Sequence, residues 1–136
     1  MAQIECSVSS EYREKAKRAT EILSRADFPD NILVRDLVRV VLYGSVQRDE
    51  ENPGDIDLCL VSEFPGERAG WGLARAATPI LQRRGINVDP EQITVHLQGI
   101  GIDAWERPDE APFPELVHDI RKGEILFDRS KLMPEL

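Results

Sequence analysis

The chain has 136 residues, of which 41% are hydrophobic and 31% are charged, and its formal net charge is −8. This length and composition are typical of a single globular domain, which we place over residues 1–136. No apolar stretch is long enough to cross a bilayer and the first residues lack a signal-peptide pattern, so we expect a cytoplasmic protein without a membrane partner. The acidic charge argues against a long nucleic acid as the main ligand, because such a ligand needs a basic surface.

The N-terminal part of the chain predicts a helix and then a buried strand. Ser10 is a favoured helix-capping residue, and we expect the helix to run from there to residues 27–29. Its apolar face at helical spacing consists of Tyr12, Ala16, Ala19, Ile22 and Leu23. The segment Leu37–Tyr43 is apolar and rich in β-branched residues, which predicts a buried strand.

A turn and a second strand follow. Residues 46–54 are polar and end in Asn52-Pro53-Gly54, a strong turn sequence. Residues Ile56–Val61 are almost continuously apolar and predict a strand. Two strands of this kind indicate a sheet that helices cover on at least one face.

The Ala-rich stretch Glu67–Arg84 predicts helix. Trp71 falls on its apolar face, and we expect it in the core. Pro79 leaves two alternatives open, because proline removes a backbone donor and clashes with the preceding turn. Either one helix continues through Pro79, or Thr78 caps a second, shorter helix that begins at Pro79.

The last third of the chain predicts a strand, a loop, a helix and an edge strand. Apolar and polar residues alternate over 92–98, which predicts a half-buried strand. Residues 99–112 are rich in glycine, proline and charge and predict a loop, in which Trp105 is a candidate interface residue. A proline and a glycine bracket a short helix over 114–123, and residues 125–127 predict an edge strand. The expected fold is therefore α/β (α+β): a small, mixed, twisted sheet of three or four strands with helices mainly on one face.

Residues suited to metal and phosphate chemistry lie between the first two strands. Gly44-Ser45 directly follows the first strand, and Asp55 and Asp57 stand at the start of the second. Side chains at positions i and i+2 of a strand point to the same face, so the two carboxylates project together. Carboxylate oxygens suit Mg²⁺, Gly44 allows a close backbone approach, and Ser45 at a helix start can donate to phosphate. The pattern predicts a site for a divalent metal and a nucleotide.

The motif Gly44-Ser45, nine further residues and then Asp55-Ile56-Asp57 resembles the signature of the DNA polymerase β-type nucleotidyltransferase superfamily. The chain is similar in its small size to the minimal nucleotidyltransferases of that superfamily. The similarity covers residues 37–62, with a weaker similarity over residues 120–127. It implies Mg²⁺-dependent transfer of a nucleoside monophosphate from a nucleoside triphosphate. We expect the monophosphate to be AMP and the triphosphate to be ATP. Arg48 resembles the basic position after the Gly-Ser pair, which would contact phosphate or brace the loop.

The chain departs from the family pattern at the third acidic position. Active members carry a third carboxylate on a later strand, on the same face as the first two. The polar face of the strand over 92–98 carries Thr94, His96 and Gln98 instead. His96 is the best match to the acidic position, and Thr94 is the alternative for a shifted register. A histidine can accept a proton near neutral pH, but it is a poorer Mg²⁺ ligand than oxygen.

These residues are compatible with two classes of function. The first is a nucleotidyltransferase that modifies a protein or a small molecule, with a second subunit of a homo-oligomer or a partner protein completing the acceptor site. In the family, minimal nucleotidyltransferases often pair with a HEPN-type helical protein, and some act as antitoxins that silence this partner by adenylylation. The resemblance implies such a partner, and such an antitoxin role, for this chain. The second is a catalytically weak or inactive nucleotide- or protein-binding module that masks its partner.

Overall fold

The structure is a computed structural model that describes residues 8–24, 36–44, 56–86 and 95–129. In these ranges the strands are β1 (Leu37–Tyr43), β2 (Ile56–Ser62), β3 (Val95–Gly101) and β4 (Glu124–Asp128). The helices are α1 (Val8–Ser24), α2 (Glu67–Arg83), α3 (Ile102–Glu106) and α4 (Pro114–Arg121), and a 3-10 turn spans Pro108–Glu110. None of the helices described is long and apolar enough to cross a membrane.

The four strands form one mixed sheet in the order β3-β2-β1-β4. Strand β1 is antiparallel to both β2 and β4, and β2 is parallel to β3. Parallel neighbours need a crossover connection, and α2 lies between β2 and β3 in the chain. This arrangement confirms the α/β class and the mixed sheet, and it places β4 at an edge as the sequence predicted.

The two long helices pack on one face of the sheet and the short helices pack on the other. Helix α1 buries the apolar residues that the helical spacing predicted, and α2 buries Leu73, Ala77, Ile80 and Leu81 beside them. On the second face, Val117 and Ile120 of α4 pack with Val41 and Cys59 of the sheet. Strand β2 is therefore buried on both faces, which accounts for its continuous apolar sequence.

Helix α2 continues through Pro79, which decides between the two alternatives left open by the sequence. Pro79 and Arg75 are both exposed, so water can reach the Arg75 carbonyl that loses its helical partner. The Thr78 hydroxyl donates a hydrogen bond to the Ala74 carbonyl at 3.1 Å, as a residue inside a helix does. At the other helix, α1 begins at Val8, so the prediction that Ser10 caps it is wrong.

The loop predicted over residues 99–112 is wrong in part, because β3 extends to Gly101 and α3 follows it directly. Gly70 of α2 and Gly99 of β3 lie so close that a side chain on either one would overlap the backbone of the other. Glycine is therefore required here for the approach of a helix to a strand rather than for a turn. The sequence shows the glycines but not the contact that needs them.

Each of the two tryptophans lies in the environment that the sequence predicted for the other. Gly70 faces β3, so the adjacent Trp71 projects beside this contact and is 56% exposed. Trp105 is half-buried on the second face of the sheet. The guanidinium groups of Arg39 and Arg121 lie 5.2 and 5.5 Å from its ring centroid, which are cation–π distances. Of the two tryptophans, Trp71 is thus the exposed one and Trp105 is a packing residue.

Candidate functional site

The candidate site lies at the end of the sheet where β1 ends and β2 and β3 begin. The register pairs Tyr43 with Asp57, and it pairs Asp57 with His96. Paired residues on neighbouring strands point to the same face, so these three side chains form a row across β1, β2 and β3. The row lies on the face opposite the two long helices, because Ile56 and Leu58 on either side of Asp57 belong to the core beneath those helices.

Gly44 follows β1 and lies directly against the Asp57 carboxylate. A methyl group at position 44 would lie 2.5 Å from Oδ2 of Asp57, which is closer than atoms of this kind approach. The φ angle of Gly44 is +79°, a left-handed conformation that glycine adopts without steric cost. Two separate constraints therefore favour glycine at this position: the backbone conformation and the room for the carboxylate.

His96 contacts the other oxygen of the same carboxylate. Its Nδ1 atom lies 3.3 Å from Oδ1 of Asp57. An ionised carboxylate only accepts hydrogen bonds, so Nδ1 is the donor and Nε2 of a neutral imidazole carries the lone pair. The His96 side chain is 62% exposed and the Asp57 side chain is 26% exposed, so solvent reaches both. The carboxylate thus lies between the Gly44 backbone and an imidazole ring.

Two residues next to Asp57 on the same face of the sheet, Tyr43 and Cys59, stay protonated and uncharged. Burial is the main cause that raises the pKa of the Tyr43 phenol above its ordinary value, and the nearby Cys59, Asp57 and Asp119 raise it further. Burial likewise raises the pKa of the Cys59 thiol, which lies next to Asp57 on the same face of β2. A thiol kept protonated in this way is a poor nucleophile, so Cys59 is a core residue, as the sequence suggested.

The structure brings together three of the predicted site residues: Gly44, Asp57 and His96. The other predicted positions, Ser45, Arg48, Asp55 and Thr94, lie outside the described residues. Within the part of the chain that is described, no group of three His, Cys, Asp or Glu side chains is arranged to hold a metal. The described residues therefore supply one of the two predicted carboxylates.

The structure also has a cleft of about 690 Å³ that no pattern in the sequence indicated. The cleft reaches Gln98, the next residue after His96 on the same face of β3, and continues to Gly101. The exposed rings of Trp71 and Phe113 also line it. These residues are far apart in the chain, so no local pattern predicts that they share a cleft. The only signal in the sequence was the presence of large aromatic side chains among small and polar residues.

No family model, curated protein or solved structure matches the chain. The functional interpretation of the site therefore depends on its residues, on the register that places them side by side, and on their contacts.

We predict that Gly44→Ala displaces the Asp57 carboxylate, and that Gly85→Ala, its matched control, does not. Gly85 has nearly the same φ, +84°, but a methyl group there meets no atom within 4 Å. Each variant should lose about 1 kcal/mol of unfolding free energy from the left-handed conformation alone. Only Gly44→Ala should change the ¹⁵N shifts of the His96 ring. Equal His96 spectra in the two variants would contradict the Gly44–Asp57 contact.

We predict that the free energy of unfolding falls as the pH rises above about 10, and that Tyr43→Phe makes this fall shallower. The unfolded phenol ionises near its ordinary pKa of 10.0, whereas the buried phenol of the folded state stays protonated. The folded state then binds more protons than the unfolded state, which costs up to about 1.4 kcal/mol per pH unit for one such group. Urea unfolding at pH 8, 10 and 11 measures the slope, and equal slopes for both proteins would refute the prediction.

Proposed function

We propose that the chain is a Mg²⁺-dependent nucleotidyltransferase that moves a nucleoside monophosphate, with AMP as the first choice, onto a protein or small-molecule acceptor. The observation that carries this proposal is the contact between the Gly44 turn and the Asp57 carboxylate, with His96 beside them. A glycine turn lets a triphosphate approach the backbone, and a carboxylate oxygen suits Mg²⁺. Both lie at one solvent-accessible end of the sheet.

Mg²⁺ fits the chemistry of the residues at this end. Asp57 offers hard oxygen atoms at a partly exposed position, and the missing side chain of Gly44 leaves space beside Oδ2. The proposal assigns the second ligand to Asp55 on the basis of the i, i+2 spacing in the sequence. When bound, the cation supplies positive charge against the phosphoryl oxygens and aligns the reacting groups.

The remaining roles follow from the chemistry of the transfer. The acceptor oxygen forms a bond to the α-phosphorus of the triphosphate, the bond from that phosphorus to the bridging oxygen breaks, and pyrophosphate leaves. The acceptor hydroxyl must give up its proton in this step. Asp57 holds Nδ1 of His96, which leaves Nε2 to accept that proton. The proposal assigns Ser45 and Arg48 to the phosphates, as the resemblance implies.

One observation favours a second candidate function. The described strand β3, Val95–Gly101, has no acidic residue, and its polar side chains on the site face are His96 and Gln98. Imidazole and amide groups are weaker Mg²⁺ ligands than a third carboxylate. The second candidate is therefore a catalytically weak or inactive module that binds a nucleotide or a protein and masks a partner, with a HEPN-type protein as the partner that the resemblance implies.

We predict that Asp57→Asn lowers nucleotidyl transfer by about 100-fold or more, because the change removes charge where the transferring phosphoryl group is stabilised. The assay supplies ATP labelled on its α-phosphate, together with Mg²⁺ and a lysate of the source organism, and follows label into an acceptor. Asp109→Asn is the matched control, because Asp109 also contacts a histidine, His118 at 2.8 Å, elsewhere on the surface. It should transfer label as the wild type does.

The outcomes separate the two candidate functions. Transfer by the wild type and Asp109→Asn, with little or none by a folded Asp57→Asn, supports the enzyme. Equal transfer by all three proteins contradicts the proposed role of Asp57. Absence of transfer by a wild-type protein that still binds Mg²⁺-ATP contradicts the enzyme and supports the binding module.

A further inference from the structure

The cleft of about 690 Å³ is lined by the start of α2, the end of β3 and the segment from α3 to the first turns of α4. Residues 99–101 of β3 are buried, and the two glycines among them lie against the backbones of Gly70 and of residues 64–66. This end of β3 is therefore closed to a further strand. A cleft of this volume is in the range that small-molecule sites occupy.

Aromatic rings form part of the cleft lining. Trp71 is 56% exposed and Phe113 is 64% exposed, and the less exposed Leu116 and Ile100 also line the cleft. Of the four large apolar side chains that are exposed in the described part of the chain, these two aromatic ones belong to this cleft. An aromatic face stacks on a planar group and attracts a cation, because the face of the ring carries partial negative charge.

Hydrogen-bond acceptors line the same cleft. Oδ1 of Asp103 accepts the N–H of Gly66 at 3.0 Å, and Nε2 of Gln98 lies 3.5 Å from the carbonyl of Gly99. The other oxygen of Asp103, the carboxylate of Glu67 and Oε1 of Gln98 have no hydrogen-bond partner among the described residues. Three uncommitted acceptors therefore face a ligand that could donate to them.

The charge of the cleft favours a cation. Its charged side chains are three acids, Glu67, Asp103 and Glu110, and one base, Arg107. Arg107 lies 3.9 Å from Glu110, so these two offset each other and two carboxylates remain. The positive end of the α2 dipole adds about half a charge, which is less than those two carboxylates supply. The cleft therefore attracts a cation and repels an anion such as a triphosphate.

These properties together select one class of ligand. An amidinium or a protonated amine donates several hydrogen bonds and carries positive charge, so it matches both the acceptors and the charge. A quaternary ammonium has no N–H and would leave the acceptors unpaired. An aromatic body attached to the cationic group would use the faces of Trp71 and Phe113.

We propose that this cleft binds a small aromatic cation, whose ring lies against Trp71 and Phe113 and whose N–H groups donate to Glu67, Asp103 and Gln98. The ligand is a free small molecule, because the closed end of β3 offers no strand for a peptide to pair with. This inference does not depend on nucleotidyl transfer, because none of these residues has a role in that proposal.

Three naphthalene derivatives of nearly the same shape provide the test. At pH 7 naphthamidine is a cation, naphthamide is neutral and naphthoate is an anion, and each is titrated into the ¹⁵N-labelled protein. We expect naphthamidine to shift the signals of the Trp71 indole N–H and the Gln98 side-chain amide. It should bind about tenfold or more tightly than naphthamide, and naphthoate should leave both signals unchanged.

The double variant Glu67→Gln, Asp103→Asn tests the two carboxylates. Asparagine keeps an oxygen that can accept the N–H of Gly66, so the contact between the two segments is retained. The variant should bind naphthamide as the wild type does but lose the preference for naphthamidine. Glu115→Gln is the matched control and should keep the preference, because Glu115 is exposed in the first turn of α4 and does not line the cleft.

Alanine variants test the aromatic lining. Trp71→Ala and Phe113→Ala should each weaken the binding of both naphthamidine and naphthamide, by about fivefold or more, because both compounds use the ring faces. Phe64→Ala is the matched control, because Phe64 is 50% exposed and does not line the cleft. It should bind both compounds as the wild type does.

Three results would overturn the inference. The first is equal affinity for the three naphthalene compounds, or tighter binding of naphthoate. The second is a loss of affinity on Phe64→Ala that equals the loss on Phe113→Ala. The third is binding of acetylarginine amide as tight as that of naphthamidine, which would assign the cleft to a basic side chain of a partner protein. None of these results bears on nucleotidyl transfer.

Discussion

The pairing of β2 between β1 and β3 is the constraint on which the candidate site depends. This pairing places Asp57 opposite Tyr43 on one side and opposite His96 on the other, and it brings Gly44 against the carboxylate. A slip of one residue would turn Asp57 toward the core under the long helices. Burial of an unpaired carboxylate is costly, so the apolar neighbours of Asp57 hold the register that exposes it.

The helices secure this register from both faces of the sheet. Ile56 and Leu58 are fully buried beneath α1 and α2, while Cys59 and Val61 are fully buried on the face that α4 covers. Helix α2 can lie close to β3 because two glycines meet at the contact, and this leaves Trp71 at the surface. The same packing therefore positions the candidate site at one end of the sheet and leaves Trp71 as part of the lining of the cleft.

The parts of the fold that follow from local hydrophobic patterns could be predicted from the sequence, and the parts that depend on distant contacts could not. Strand Leu37–Tyr43 and the apolar face of α1 follow from composition and spacing alone. The extension of β3 through Gly99 was missed, because only the contact with α2 explains a glycine there. The exposure of Trp71 was missed because helix phase depends on the same contact. His96 and Asp57 are 39 positions apart, and only the parallel register makes them neighbours.

The most direct test of the account is whether a divalent cation with ATP binds at the end of the sheet formed by Gly44, Asp57 and His96. Mn²⁺ added with ATP to the ¹⁵N-labelled protein broadens the amide signals nearest the bound ion. We expect the signals of Gly44, Asp57 and His96 to broaden first. Broadening that begins instead at Glu67 and Glu110, which line the cleft, or that is uniform along the chain, would contradict a cation site at this end of the sheet.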